Sequence, residues 1–295
     1  MCTIGNLFSE SAPARYNSVF KQCDLQDKTQ FILPELANTH GIDYVALTRE
    51  KPDGTTPAWS GINEYGIAFV AADSYLKNNG ESGISHARYL DPPKSQSVFD
   101  MYLSLISKCK TLEEATSIAV DYYERQMTGA TDTDILLIAD AAGSCFIEAY
   151  AGTVICSVRR EKFFASTNHM RMIYGAVDYA DNHSTYLRLQ RAEAILERTP
   201  AYNGIGDLLR DKYYGESVWS ICRSRETTVA EESPFYTQAS VIFSIPDITL
   251  PNGRKDSVIE FVLNAKPDEK GKGIVWQPFS GGSQKPVDFI GKELP

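Results

Sequence analysis

The sequence predicts an α+β fold in which two antiparallel sheets lie between helical layers. Three observations carry this expectation. Strand-forming and helix-forming segments come in blocks: strands, two helices, strands, two helices, strands. Within each block the strands are separated by short turns, and segregated blocks of this kind do not build a parallel doubly wound sheet. No Pro-, Gly- or Ser-rich linker and no internal repeat interrupts the 295 residues, so one domain is expected over 1–295.

The first block is read from short apolar runs bounded by turn residues. Thr3 to Phe8, Ser18 to Cys23, Tyr44 to Thr48 and Tyr65 to Ala72 are the candidate strands, with Pro52-Asp53-Gly54 as a turn between two of them. Residues 80–96 are polar and contain Gly80, Gly83, Pro92 and Pro93, which predicts a loop. Val98, Met101, Tyr102, Leu105 and Ile106 then recur at helical spacing. A second helix opens at Thr111, where Glu114 three residues on completes a capping box, and Leu112, Ala115, Ile118, Ala119 and Tyr122 form its buried face. Asp134 to Ala139, Ser144 to Ala149, Thr153 to Val158 and Phe163 to Ser166 return to strands. Helical patterns run from about Ser184 to Glu197 and from Tyr202 to Tyr213. Ala239 to Ile245, Ser257 to Leu263 and Ile274 to Phe279 close the chain as strands.

Composition excludes several function classes. The chain is 43% apolar and 23% charged, with a net charge of −9, and its Lys and Arg residues are scattered, which disfavours a nucleic-acid surface. No run approaches the ~20 apolar residues of a membrane span. The start, Met1-Cys2-Thr3-Ile4-Gly5, lacks the basic n-region and long apolar run of a secretory signal, so a cytoplasmic location is expected. Cys2, Cys23, Cys109, Cys145, Cys156 and Cys222 form no C-x-x-C pair, and the four histidines form no H-E-x-x-H pattern. Cys109 and Cys156 sit in apolar helix and strand patterns and are expected to be core thiols.

Cys2 is the residue from which chemistry can be argued. It follows Met1 and is small enough for a methionine aminopeptidase to expose it. The chain would then begin with a thiol and a free α-amine on one residue. That amine has a reference pKa near ~7.7–8.0 and can accept a proton at neutral pH. The thiolate is the nucleophilic form of cysteine.

Five further segments bear on Cys2. Phe20-Lys21-Gln22-Cys23-Asp24 places Lys21 and Asp24 on a strand that could hold an amine and tune a thiol, although an edge strand with solvated charges has the same pattern. Gly61-Ile62-Asn63-Glu64-Tyr65-Gly66 is ordinary hairpin-turn chemistry. Asp140 to Gly143, followed by Glu148, reads as a structural hairpin. Ser166-Thr167-Asn168-His169 ends an apolar strand with polar groups, of which Asn168 could donate to a developing oxyanion or serve a turn. Ser184 to Arg188 opens a helix with Ser184 as N-cap. Arg188 shares a face with Ala192 and Ile195 and so points to the core, where it needs a partner.

Together these motifs resemble the N-terminal-nucleophile hydrolases that use a terminal cysteine: the choloylglycine hydrolase and penicillin V acylase group, and the acyl-coenzyme A:6-aminopenicillanic acid acyltransferase group. The resemblance runs from Met1-Cys2-Thr3 to about Phe243. It implies an αββα four-layer sandwich, with Cys2 as nucleophile and Asp24 orienting the α-amine. It further implies Asn168 near the oxyanion and Arg188 supporting the nucleophile. Lys21 stands where the bile-salt branch usually has Arg. One departure is notable. Asp73 falls where bile-salt and penicillin V enzymes carry an oxyanion-hole asparagine, and an ionised Asp cannot donate a hydrogen bond. Either Asp73 is protonated, or its backbone N–H acts, or Asn168 carries the oxyanion.

The resulting expectation is cleavage of a linear amide C–N bond through a thioester on Cys2. Acylation of an amine from the same acyl-enzyme is the alternative, and a non-catalytic binding relative is the reading from another class. No metal or organic cofactor is required. The expected partner is a small-molecule amide or acyl substrate, with neither nucleic acid nor membrane, and a homo-oligomer stays open.

Overall fold

The computed structural model describes residues 2–9, 16–25, 28–51, 53–74, 94–129, 132–173, 184–217, 219–224, 235–247 and 256–289. Its strands build two sheets, and every strand pairing described is antiparallel. The first sheet contains β1 (Cys2–Ser9), β2 (Tyr16–Leu25), β11 (Phe163–Ser166), β12 (Tyr236–Pro246), β13 (Val258–Leu263), β14 (Gly273–Trp276) and β15 (Lys285–Val287). Its order is β11-β1-β2-β12-β13-β14-β15. The second sheet contains β3 (Phe31–Ile32), β5 (Ile42–Arg49), β6 (Ala58–Asn63), β7 (Ala68–Ala72), β8 (Thr133–Ala139), β9 (Ser144–Tyr150) and β10 (Thr153–Arg159). Its order is β10-β9-β8-β7-β6-β5-β3, with β4 (Leu36–Thr39) also pairing β5.

Period-two alternation divides each buried strand between two layers. Cys2, Ile4, Val19 and Cys23 of the first sheet meet Leu47, Trp59, Val70 and Leu137 of the second in a central core. The alternate residues face helices. Leu7, Phe20 and Ile242 pack on α3 (Ser184–Arg198) and α4 (Tyr202–Leu209) through Leu189, Ile195 and Leu208. Phe69, Leu136 and Ile138 pack on α1 (Gln96–Lys108) and α2 (Leu112–Gln126) through Tyr102, Leu105 and Tyr123. The layers therefore run α-β-β-α, as expected. The capping box of α2 forms: the Glu114 N–H donates to Thr111 Oγ1 at 3.1 Å, and the Thr111 N–H donates to Glu114 Oε2 at 3.3 Å.

Several boundaries differ from the sequence reading. β3, β4, β6 and β15 are strands that periodicity alone does not signal. The strand expected from Tyr65 starts at Ala68, because Asn63 Oδ1 accepts from the N–H groups of Tyr65 and Ile67 and holds the intervening residues in a turn. The strand expected to reach Phe279 stops at Trp276, where Pro278 begins a short 3-10 helix. The helix expected to reach Tyr213 ends at Leu209. The expected loop at 80–96 lies outside the described residues as far as residue 93, and α1 begins at Gln96. Cys156 is exposed rather than a core thiol, because β10 is the outer strand of its sheet. Cys109 is buried, as expected.

Gly5 explains how β1 fits between its neighbours. A Cβ at this position would lie 2.5 Å from Phe20 Cζ and closer still to the Phe164 carbonyl oxygen. Gly5→Ala is therefore expected to cost about 1–3 kcal/mol or more by overpacking. Thermal unfolding checks this, and an unchanged midpoint would show that β1 has room to shift.

Candidate active site

Cys2 lies at the start of β1, directly opposite Cys23 of β2 in the antiparallel register. Both thiols are buried and line one pocket, together with Lys21, Arg49, Trp59, Asp73 and Lys94. β1 and β2 supply one wall, and the ends of β5, β6 and β7 supply the other.

The backbone of Cys2 is held from two sides. Its N–H donates to Asn168 Oδ1 at 2.9 Å, and its carbonyl accepts from Arg188 Nη1 at 2.8 Å. Arg188 also donates to Thr3 Oγ1 at 3.1 Å and, through Nη2, to Asn168 Oδ1 at 2.9 Å. Arginine only donates, so Arg188 fixes which face of the Asn168 amide meets Cys2. Asn168 Nδ2 then points the other way and donates to the Asp73 carbonyl at 2.6 Å. Asn168 thus ties the start of β1 in the first sheet to the residue just past β7 in the second. Arg188 is fully buried on α3, in agreement with its place on the apolar face of that helix.

The turn carrying Asn168 is itself anchored. Glu148, wholly buried on β9, accepts from the N–H groups of Arg171, Met172 and Ile173 at 2.6, 2.7 and 3.0 Å. The structural role read for that hairpin is thus specific: it clamps the segment that follows Asn168 and His169. His169 is buried beside the hydroxyls of Thr167 and Thr185, and burial, reinforced by Arg171 and Arg188, pushes its imidazole down to about 3. It is neutral at physiological pH. Ser184 is the first helical residue of α3 and accepts from Arg223 Nη2 at 2.8 Å.

Lys21 and Asp24 occupy opposite faces of β2. Lys21 faces the pocket, donates to the Trp59 carbonyl at 3.3 Å and lies over the Trp59 ring. Asp24 is buried one residue beyond Cys23. It accepts from Thr237 Oγ1 at 2.8 Å and pairs with Arg223 Nε at 3.4 Å.

Asp73 lies at the pocket with Lys94, whose ammonium is 3.3 Å from its carboxylate. Burial disfavours the ionised form, but Lys94, the N-terminal charge, Arg49 and Lys21 outweigh it and hold Asp73 well below the usual carboxylate range. Of the three ways left open for Asp73, protonation is the one its ion pair with Lys94 disfavours. Lys94 is held in turn by Asp134 at 2.6 Å and by the Tyr102 hydroxyl at 2.7 Å, while Tyr102 and Tyr123 both donate to Asp134.

The Cys2 thiol is held below the ordinary thiol range. A hydrogen bond from the Cys23 thiol contributes most, burial opposes it, and the Lys21 ammonium and the N-terminal charge add to the lowering. A thiol with a depressed pKa stays ionised, and so reactive, as pH falls through the range where an ordinary thiol near ~8.5 has already protonated. Iodoacetamide should therefore modify Cys2 at pH 6–7 in preference to the other cysteines. Lys21→Met should shift the midpoint of that pH profile upward. A profile of Cys2 modification centred near that of a free thiol would contradict this electrostatic account.

Cys23, Arg49, Trp59 and Lys94 join the pocket without a sequence motif that points there. Cys23 lies in the Lys21–Asp24 segment, and its opposition to Cys2 depends on register. Arg49, Trp59 and Lys94 carry no local signal. Among the described residues, no group of three or more His, Cys, Asp or Glu could hold a metal, and no helix is long and apolar enough to cross a membrane.

A family model described as acyl-coenzyme A:6-aminopenicillanic acid acyl-transferase matches residues 46–243. The match includes Asp73, Asn168 and Arg188, while Cys2, Lys21 and Asp24 precede it. Among solved structures, a penicillin V acylase from Agrobacterium tumefaciens is similar at a TM-score of 0.53 and 14% identity. The alignment covers 98% of this chain and 91% of that one. A mutant conjugated bile acid hydrolase from Clostridium perfringens is similar at 0.50 and 11% identity, over 97% and 96%. These likenesses establish the N-terminal-nucleophile hydrolase fold. No curated protein gives a significant sequence match.

Proposed function

This chain belongs to the acyl-coenzyme A:6-aminopenicillanic acid acyl-transferase family, and on that premise we propose that it cleaves a linear amide C–N bond through a thioester on Cys2, exposed by removal of Met1. One observation carries the reading: Asn168 and Arg188 converge on the backbone nitrogen and carbonyl of the residue whose thiol lines the pocket. Any buried backbone N–H needs an acceptor, but here the acceptor is a side-chain amide that Arg188 and the Asp73 carbonyl hold in one orientation beside the pocket, as the aiming of an α-amine that is also the base would require.

In the proposed mechanism the Cys2 sulfur attacks the amide carbonyl carbon. The thiol proton passes to the Cys2 α-amine, which later delivers it to the leaving nitrogen as the C–N bond breaks. Water then attacks the thioester, assisted by the same amine, and the acid departs. Asn168 Oδ1 aims the amine. Asp24, fixed by Thr237 and Arg223 at the adjoining end of β2, is assigned to holding its charge. Arg188 fixes both Cys2 and Asn168. Lys21 favours the thiolate. The second N–H of Asn168 Nδ2 and the Lys21 ammonium are assigned to the oxyanion, a contribution worth about 3–4 kcal/mol for one such donor. Asp73 acts through its carbonyl, as the anchor of Asn168, with its carboxylate balanced by Lys94.

Capture of the thioester by an amine instead of water gives acyl transfer, the activity in the family's description. The two outcomes share every step up to the acyl-enzyme. The test is incubation with a panel of amides and thioesters, with and without acceptor amines. The expected result is a transient acyl adduct on the protein and release of an amine or thiol. Acid product without acceptor marks a hydrolase, and acylated amine marks a transferase. No adduct and no release across the panel would contradict the proposal.

A further inference from the structure

Cys2 has a second thiol as its direct cross-strand partner. Opposed residues of an antiparallel pair have Cα atoms about 4.5–5.5 Å apart, inside the ~4.4–6.8 Å range that a disulfide spans. Cys2 and Cys23 occupy such a pair, their side chains emerge on the same face of the sheet, and their thiols are in contact. Each is 2% exposed, yet both line the pocket, so a small oxidant reaching one sulfur reaches the other. The Lys21 ammonium shares that pocket and favours the thiolate, which is the form that reacts with peroxides. In the proposed amide chemistry Cys23 serves only as a hydrogen-bond donor to Cys2, a role that a hydroxyl could fill and that does not call for a second sulfur.

We propose that Cys2 and Cys23 form a peroxide-reactive pair that closes to a reversible disulfide. The Cys2 thiolate attacks one oxygen of a hydroperoxide, breaking the O–O bond. With hydrogen peroxide this gives a sulfenic acid on Cys2, and the other oxygen leaves as water. The Cys23 sulfur then attacks the Cys2 sulfur, the S–O bond breaks, and the second oxygen leaves as water with the Cys23 proton. Two thiols lose two electrons and two protons, and one peroxide becomes two waters. The disulfide occupies the sulfur that the amide reaction uses, so turnover stops. It also prevents further oxidation of Cys2 to the sulfinic acid, which thiols do not reduce. A dithiol restores both thiols by exchange. The loss of turnover rests on the amide-cleaving reading, whereas formation of the bond does not.

The second thiol pair of the molecule supplies an internal comparison. Cys145 lies opposite Val158, and Cys156 lies opposite Ile147, so these two cysteines are diagonal neighbours rather than direct partners. Their register is less favourable for a bond.

The test treats the full-length reduced protein with hydrogen peroxide, blocks remaining thiols by alkylation and maps peptides by mass. Wild type should lose two hydrogens and yield a peptide linking Cys2 to Cys23, and dithiothreitol should restore the Cys2 thiol. In Cys23→Ser and Cys23→Ala, Cys2 should accumulate as sulfinic or sulfonic acid, with roughly tenfold less thiol recovered by dithiothreitol than in wild type. Cys156→Ser should behave as wild type. Equal recovery in wild type and the Cys23 variants would overturn the proposal. So would sulfinic acid on Cys2 of wild type with Cys23 still alkylated, or a Cys145–Cys156 link alone. If neither Cys23 variant folds, the wild-type map decides by itself. Because the readout is mass, a protein that cleaves no amide in the panel can still pass or fail it.

Discussion

Cys2→Ala is expected to abolish turnover while leaving the protein folded. The side chain is small and sits at a strand end, so its loss from the core costs of order 1 kcal/mol. The lost chemistry is far larger, since removal of a hydrolytic nucleophile costs about 10⁶ in kcat in a well-studied serine enzyme. Cys2→Ser should keep at most a trace of activity. Cys109→Ala and Cys156→Ala are the controls. Cys109 is buried after the end of α1 and should cost about 1 kcal/mol of stability. Cys156 is exposed and should stay within about 0.5 kcal/mol of wild type. Both should turn over substrate normally. Steady-state kinetics with thermal unfolding separates the two kinds of loss. Wild-type activity in Cys2→Ala would remove Cys2 from the mechanism.

Asn168→Ala is expected to lower kcat by roughly 10²–10³-fold with a smaller change in KM. Its Oδ1 is the acceptor for the Cys2 nitrogen and for Arg188, and its Nδ2 reaches across to the Asp73 carbonyl. Alanine leaves the amine without an aiming group and the Arg188 Nη2 donor without this acceptor, so stability should also fall, by about 1–3 kcal/mol. Asn168→Asp separates the two effects. A carboxylate still accepts from the amine and from Arg188, but it cannot donate to Asp73. It should recover part of the stability and little of the rate. A rise in KM alone, with kcat intact, would place Asn168 in substrate binding instead.

The layered fold was legible because it rests on order and alternation. Blocks of strands and helices fix the layers, and the pattern at Leu112, Ala115 and Ala119 fixes the buried face of α2. β6 escapes a sequence reading because Gly61 and Asn63 belong to a segment, Gly61 to Gly66, that reads as turn chemistry. Gly61 is in fact a strand residue facing Ile106 of α1, whose Cδ1 a Cβ would meet at 2.6 Å. β3 and β15 are too short to show a period, and β15 carries Pro286. In the site, Cys2, Lys21, Asn168 and Arg188 were nameable because each sits in a local motif. Arg188 could also be placed inward by its spacing from Ala192 and Ile195. Lys94, Arg49 and Trp59 were not, since they meet Cys2 only through the packing of one sheet on the other. The contact between Cys2 and Cys23 needed the register, because a shift of one residue would turn one of them away.

The central claim is that the acyl group is carried by the thiol of a chain that begins at Cys2. The most direct test quenches the active protein with acid during turnover of an amide or thioester substrate and maps its N-terminal peptide by mass. The account predicts a peptide that starts at Cys2, lacks Met1 and carries the acyl group on sulfur, sensitive to hydroxylamine as a thioester. An acyl group on any other residue, or Met1 retained on protein that is turning over, would contradict it.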